Sequence, residues 1–223
     1  MRETIFRQTT EWMHREEQTP AERFIIALEQ NSEEFDLQLT PAALQKLRDY
    51  FERLLKWNQR LHLVGPCSPE EFATRHVLES LYLLRHLRPN ARVVDVGSGA
   101  GLPMIPCLIL RADLRATLVE SSQKKVVFLN EALRAGGLSD RAKVVASRFE
   151  DTAAPASDYV TARALDRFAE MLPRLIKWAP PHSTLLIYGG GALGEKLLTL
   201  LPAARAELIP RSERRFLIAA NVA

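Results

Sequence analysis

Apolar positions recur along this chain with two different periods. From Thr40-Pro41 onward, Leu44, Leu47, Tyr50, Phe51, Leu54 and Leu55 fall three and four residues apart. That spacing predicts a helix with one apolar face, opened by a threonine and a first-turn proline. Ser68-Pro69-Glu70-Glu71 marks a second helix start, carrying Phe72, His76, Leu78, Leu81, Leu84 and Leu87. Ahead of both, Thr19-Pro20 and the stripe Phe24, Ile25, Leu28 predict one or two short amphipathic helices or a partly ordered arm. Past residue 90 the pattern changes. Short β-branched runs near 91–96, 115–120, 142–147, 158–163, 183–188, 205–209 and 214–222 read as strands, with helices near 102–111, 122–136, 166–179 and 191–202. Such alternation implies right-handed crossovers and an α/β fold, a mainly parallel seven-stranded sheet with helices on both faces. The expected organisation is an arm over 1–35, a helical appendage over 36–90 and an α/β domain over 91–223. Ligands in such sheets bind beyond the carboxyl ends of the strands, which gathers Asp95, Glu120, residues 147–150 and Arg163 around one crevice.

Composition narrows the class. The 223 residues are 47% apolar and 26% charged, ordinary for a globular protein. The longest apolar run, 102–110, holds two prolines and is far shorter than the ~20 residues of a membrane span. Residues 1–20 are polar and lack a secretory signal's apolar stretch, so the expected compartment is the cytoplasm. Cys67 and Cys107 form no C-x-x-C pattern, and neither a metal site nor a disulfide is expected. Charge is uneven: residues 1–90 hold 12 Lys and Arg against 14 Asp and Glu, residues 91–223 hold 18 against 13. The excess of cations in the second part suits an anionic partner, although a plain surface bias accounts for it almost as well.

Candidate chemistry centres on Val93 to Gly101, where a β-branched run ends in Asp95 and three glycines then lead into a helix. Gly97, Gly99 and Gly101 can take positive φ without steric cost and let a ligand lie against the backbone. A second strand ends in Glu120, where an acid holds ribose hydroxyls in such folds. The dinucleotide fingerprint wants G-x-G-x-x-G, but position 102 is Leu. With Asp95 just ahead of the turn, a cationic or hydroxyl-bearing ligand fits better than a pyrophosphate. The plain alternative is a tight strand-to-helix turn with no ligand.

The D-x-G-x-G-x-G form resembles motif I of S-adenosylmethionine (SAM) methyltransferases. Further fragments are Lys56-Trp57-Asn58 with Leu61 and Leu63, Arg75-His76-Val77-Leu78-Glu79-Ser80, Asp95 to Pro106, and Glu120-Ser121 with Lys124-Lys125 and Phe128-Leu129. Ser147-Arg148-Phe149-Glu150, Thr161-Ala162-Arg163-Ala164 and Glu213-Arg214 complete the set. Together, from about residue 40 to the C-terminus, they are similar to the RsmG (GidB) family of bacterial enzymes that methylate a guanine N7 of small-subunit ribosomal RNA. The resemblance implies a Rossmann-like SAM methyltransferase fold, with SAM as cofactor and 16S ribosomal RNA or the small subunit as partner, in a monomer without metal or membrane association. It implies that Asp95, Gly97, Gly99, Gly101 and Leu102 cradle SAM, with Glu120 near the ribose, Phe149 and Glu150 beside the adenine, and Arg163 where cofactor and substrate meet. Family members usually have Gly where Met104 stands, and Lys-Gly where this chain has Gly189-Gly190.

Guanine N7 carries a lone pair and no proton, so its attack on the methyl group needs no general base and positioning dominates. Arginine's planar fork matches the O6 and N7 acceptors, which makes Arg163 and Arg214 the candidate catalytic residues; the plain alternative for each is a salt bridge at a strand end. His76 reads as a core histidine and Trp57 as packing. Lys124-Lys125 and the cluster Arg205, Arg211, Arg214, Arg215 are candidate phosphate contacts. Two other readings stand beside this one: a SAM methyltransferase on another substrate, and a catalytically weak RNA-binding assembly factor.

Overall fold

The computed structural model describes residues 18–163 and 168–222. The expectations for residues 1–17, Ala164 and the first turn of the helix near 166 lie outside the described residues. Among the described residues, α1 (Pro20–Asn31), a 3-10 turn at Glu33–Phe35, α2 (Pro41–Leu61) and α3 over 69–86 precede the sheet. Thr19, Thr40 and Ser68 each accept a main-chain N–H from three residues on, and a proline follows each of them. Sequence and structure agree here because the caps are local chemistry. α3 is α-helical at Pro69–Glu71, π-wound over Phe72–Leu78, α-helical at Glu79–Leu81 and 3-10 at Tyr82–His86.

The alternating region gives β1 (Arg92–Val96), α4 (Met104–Leu110), β2 (Arg115–Val119), α5 (Gln123–Ala135), β3 (Ala142–Val145), β4 (Tyr159–Arg163) and α6 (Phe168–Trp178). It ends with β5 (Thr184–Gly189), α7 (Gly191–Leu200), β6 (Arg205–Leu208) and β7 (Phe216–Asn221). Among the described residues these strands form one sheet in the order β3-β2-β1-β4-β5-β7-β6. The strands from β3 to β5 are parallel; β7 runs antiparallel to both β5 and β6. The order reverses between β1 and β4, and that switch point opens a crevice at their carboxyl ends.

Alternation along the strands splits the core. Val93, Ala116 and Leu118 face α1–α5, in a cluster that includes Phe24, Phe51, Phe72 and Phe128. Val94, Val96, Val119, Val160 and Ile187 face the other side, where α6 and α7 contribute Leu172, Leu175 and Leu197. Phe24, Phe51 and Phe72 have ring centroids 4.4 to 5.8 Å apart, joining α1, α2 and α3. Each such ring removed from water contributes roughly 2 to 3 kcal/mol. Arg23 reinforces the joint with two bonds to the Glu70 carboxylate, at 2.8 and 2.9 Å.

Candidate active site

The crevice is built on the turn after β1. Gly97, Gly99 and Gly101 have φ of 72°, 53° and 84°, which is the region that favours glycine. Their roles differ. A Cβ on Gly101 would lie 2.3 Å from Ile105 Cδ1, so this glycine lets α4 close on the turn, whereas a Cβ on Gly99 would meet only the Gly97 carbonyl, at 3.7 Å. Gly99 therefore presents open backbone to the crevice. Leu102 is buried behind it. From α2, the Tyr50 hydroxyl donates to the Ala100 carbonyl at 2.8 Å and pins the turn from below.

Two carboxylates bracket this backbone. Asp95 is fully buried, and neither of its oxygens has a hydrogen-bond partner among the described residues. Burial pushes its pKa up to about 8; the neighbouring Ser98 hydroxyl opposes the shift, the Glu120 carboxylate adds to it, and the Arg163 guanidinium opposes it. An orphaned carboxyl of this kind fits a ligand that brings its own cation and donors. Glu120, at the tip of β2, accepts from the Gly99 N–H and from the Ser122 N–H. Phe149 sits in a 3-10 turn with its ring edge-on to Trp178 at 5.5 Å, and the Trp178 indole donates to the Thr152 carbonyl. Glu150 is exposed, 4.0 Å from Arg174.

Arg163 ends β4 and reaches across to α3. Nη1 donates to the His76 carbonyl and to Ser80 Oγ, Nη2 donates to the Arg75 carbonyl at 2.6 Å, and the guanidinium lies 5.5 Å from the Tyr188 ring centroid. Glu79 is buried between Arg163, at 3.5 Å, and Arg215, at 2.6 Å. Burial raises the Glu79 pKa although both arginines oppose the shift. Arg163 is thus committed to holding the π-wound segment against the sheet. Burial, assisted by Arg163, lowers the His76 pKa to about 4, so this histidine is neutral and packs on Phe72 at 5.2 Å.

Arg214, the first residue of the strand read from the sequence, lies just ahead of β7, which begins two residues later at Phe216. Ser212 Oγ accepts from the main-chain N–H groups of both Arg214 and Arg215 and bends the chain there. The turn abuts the end of β5: a Cβ on Gly190 would lie 3.6 Å from the Arg214 carbonyl. The basic cluster is divided. Arg211 pairs with Glu34 and Arg215 with Glu79, whereas Arg214 is exposed and has no ion pair among the described residues. Lys124 is exposed at the start of α5.

The two departures are absorbed by packing. Met104 is entirely buried in the core and adds no exposed bulk at the helix entry. Gly189 touches Leu193, whose Cδ2 would lie 2.5 Å from a Cβ there. Reasoning from the sequence missed Tyr50 as a support of the turn, and it missed Glu79, Tyr188 and Arg215 as the setting of Arg163.

The chain is similar to known proteins in sequence and in fold. The family model described as rRNA small subunit methyltransferase G matches residues 43–206. A protein of that name from Sorangium cellulosum is 39% identical over 166 residues, 71% of this chain and 69% of its own. Another, from Sodalis glossinidius, is 37% identical over 169 residues, 75% of this chain and 81% of its own. In fold, the chain is similar to a SAM dependent methyltransferase from Aquifex aeolicus, with a TM-score of 0.53 and 17% identity, over 76% of this chain and 98% of that one.

Proposed function

Because the chain belongs to the rRNA small subunit methyltransferase G family, we propose that it transfers the methyl group of SAM to N7 of a guanine in small-subunit ribosomal RNA. The observation that carries the reading is the buried, unpartnered Asp95 carboxylate beneath the open Gly99 backbone at the switch point. An ammonium-bearing cofactor would satisfy that carboxylate in its ionised form. Glu120, already fixed by two amides, would take the ribose hydroxyls, with Phe149 and Glu150 beside the adenine. SAM, when bound, supplies an electrophilic methyl on a sulfonium.

What remains for the protein is placement. The guanine lone pair needs no base, and a neutral, packed His76 offers none. Arg214, exposed beside the end of β5, is the donor assigned to guanine O6, which leaves the N7 lone pair free to face the methyl group. Arg163 acts on α3 by closing the crevice wall, as a positioning residue. Because no other base or nucleophile is required, holding nucleophile, methyl and sulfur in line is the source of the rate. The chain works as a monomer in the cytoplasm, and among the described residues no helix is long and apolar enough to cross a membrane.

The test is methyl incorporation from labelled SAM into small ribosomal subunits lacking the modification, with naked RNA and a protein-free control alongside, followed by nucleoside analysis. Label in 7-methylguanosine is expected. SAM binding with label in another nucleoside, or in none, would overturn the assigned acceptor.

A further inference from the structure

The crossover from β3 to β4, residues 146–158, carries only the short 3-10 turn Phe149–Asp151. Among the described residues, this crossover therefore supplies no helix to cover the amino-terminal half of β1, β2 and β3 on the side where α6 and α7 pack further along the sheet. An open cleft of about 390 Å³ lies there, lined in part by Arg92, Arg115, Arg141, Lys143, Ser139 and Ser157. It lies at the amino-terminal ends of these strands, about 16 Å along β1 from the glycine turn at the carboxyl end.

The cations in it are ordered by register. Arg92 lies opposite Arg115 on the neighbouring strand, and Lys143 lies opposite Thr117, two residues along β2. Since side chains alternate along a strand, all three share the face of Val94, Val119 and Val145. Arg92 has Asp158 at 3.5 Å, whereas among the described residues Arg115 and Lys143 have no ion-pair partner. Arg141 is committed to the carbonyls of Leu108, Arg111 and Leu114. The one acid in the lining, Asp140, points largely into solvent, with 74% of its side chain exposed. At the wall, the Ser157 hydroxyl is buried and has no partner among the described residues.

We propose that this cleft is a second RNA-binding surface, which holds the phosphate backbone at the edge remote from methyl transfer. The identity of the RNA rests on the function proposed above. Cations of one sign in a concave site focus positive potential, and Arg, Lys and hydroxyl donors are the groups that position a phosphate backbone. On this face Val94 is buried beneath the cations.

The test measures binding of a small-subunit ribosomal RNA transcript, and separately of poly(U), at several salt concentrations. Wild type is compared with Arg115→Ala/Lys143→Ala and with the charge-conserving Arg115→Lys/Lys143→Arg. Each phosphate neutralised adds about 0.7 to 0.9 to the slope of log affinity against log salt. The alanine pair should flatten the slope by about 1.5 and weaken binding several-fold on both RNAs, the conservative pair should restore both, and SAM affinity and thermal midpoint should stay at wild type. An unchanged slope in a folded alanine variant overturns the proposal, even if the wild type methylates ribosomal RNA. A flattened slope with a wild type that binds RNA but does not methylate it keeps the cleft and removes the assigned activity. Wild-type protein that binds neither RNA overturns both.

Discussion

The Gly99 N–H donates to Glu120 Oε2 at 2.9 Å while the other oxygen of the same carboxylate accepts from the Ser122 N–H at 2.8 Å. One side chain thus joins the turn after β1 to the start of α5 and fixes the two walls between which a cofactor would lie. Glu120→Ala leaves both amides without that acceptor, whereas Glu120→Gln keeps one good bond and turns its NH2 toward the second N–H. Hydrogen bonds to a charged group contribute about 1.5 to 3 kcal/mol. SAM affinity should therefore fall roughly 10- to 100-fold in the alanine variant and less in the glutamine variant. Calorimetric titration with SAM checks the order, and equal affinities across the three proteins would remove Glu120 from the site.

Asp95 sets a pH dependence with a definite sign. Its folded pKa is raised to about 8, against roughly 3.9 in an unfolded chain. Between those values the folded state holds a proton that the unfolded state has released, so stability falls as pH rises from about 4 to about 8, by up to 1.4 kcal/mol per unit. Above and below that window the group contributes no further slope. Asp95→Asn should remove this slope and make the cofactor-free protein more stable than wild type at pH 8, while SAM binding is lost. Urea unfolding from pH 5 to pH 9 reads the first effect, and titration with SAM reads the second.

Arg163→Ala should damage folding as much as activity. It deprives the Arg75 and His76 carbonyls of their donor and leaves the Glu79 carboxylate, 3% exposed, with Arg215 as its remaining cation. Breaking one partner of a buried pair costs about 3 to 5 kcal/mol. Arg163→Lys keeps the charge without the fork and should fall between alanine and wild type. Thermal melts beside methyl-transfer rates taken well below each midpoint separate the two losses. An alanine variant that melts with wild type would show that the α3 contacts contribute nothing.

What the sequence disclosed, and what it did not, follows the distance over which each feature is encoded. Asp95 and Glu120 were legible because a strand tip, a glycine turn and a helix start lie within a few residues of each other. The mainly parallel sheet followed from alternation alone. The commitment of Arg163 was not legible, because its partners stand more than 80 residues earlier on α3. Nor was the π-winding of Phe72–Leu78, which leaves the apolar spacing nearly helical. The Tyr50 hydroxyl sits on a face that the pattern marks only as core. Nor was the burial of Met104 legible: its place in the motif is at the turn, although its side chain lies wholly in the core.

The last relationship concerns Gly189 and Leu193, at the place where the resemblance implied a Lys-Gly pair. A Cβ on residue 189 would lie 2.5 Å from Leu193 Cδ2 and 3.1 Å from Leu193 Cβ. The second distance is to an atom that cannot swing away, so α7 must shift to admit any side chain. Gly189→Lys alone should lower stability by about 1 to 3 kcal/mol, the usual cost of overfilling a packed site. Leu193→Ala alone should also destabilise, by loss of apolar packing. In the double variant the two effects should cancel in part, with a coupling of roughly 1 kcal/mol or more, as expected for residues in contact. The added cation stands at the catalytic edge, so RNA affinity at low salt should rise above wild type in the double variant. A denaturation cycle over the four proteins measures the coupling. Strict additivity would mean that Leu193 is not what excludes a side chain at position 189.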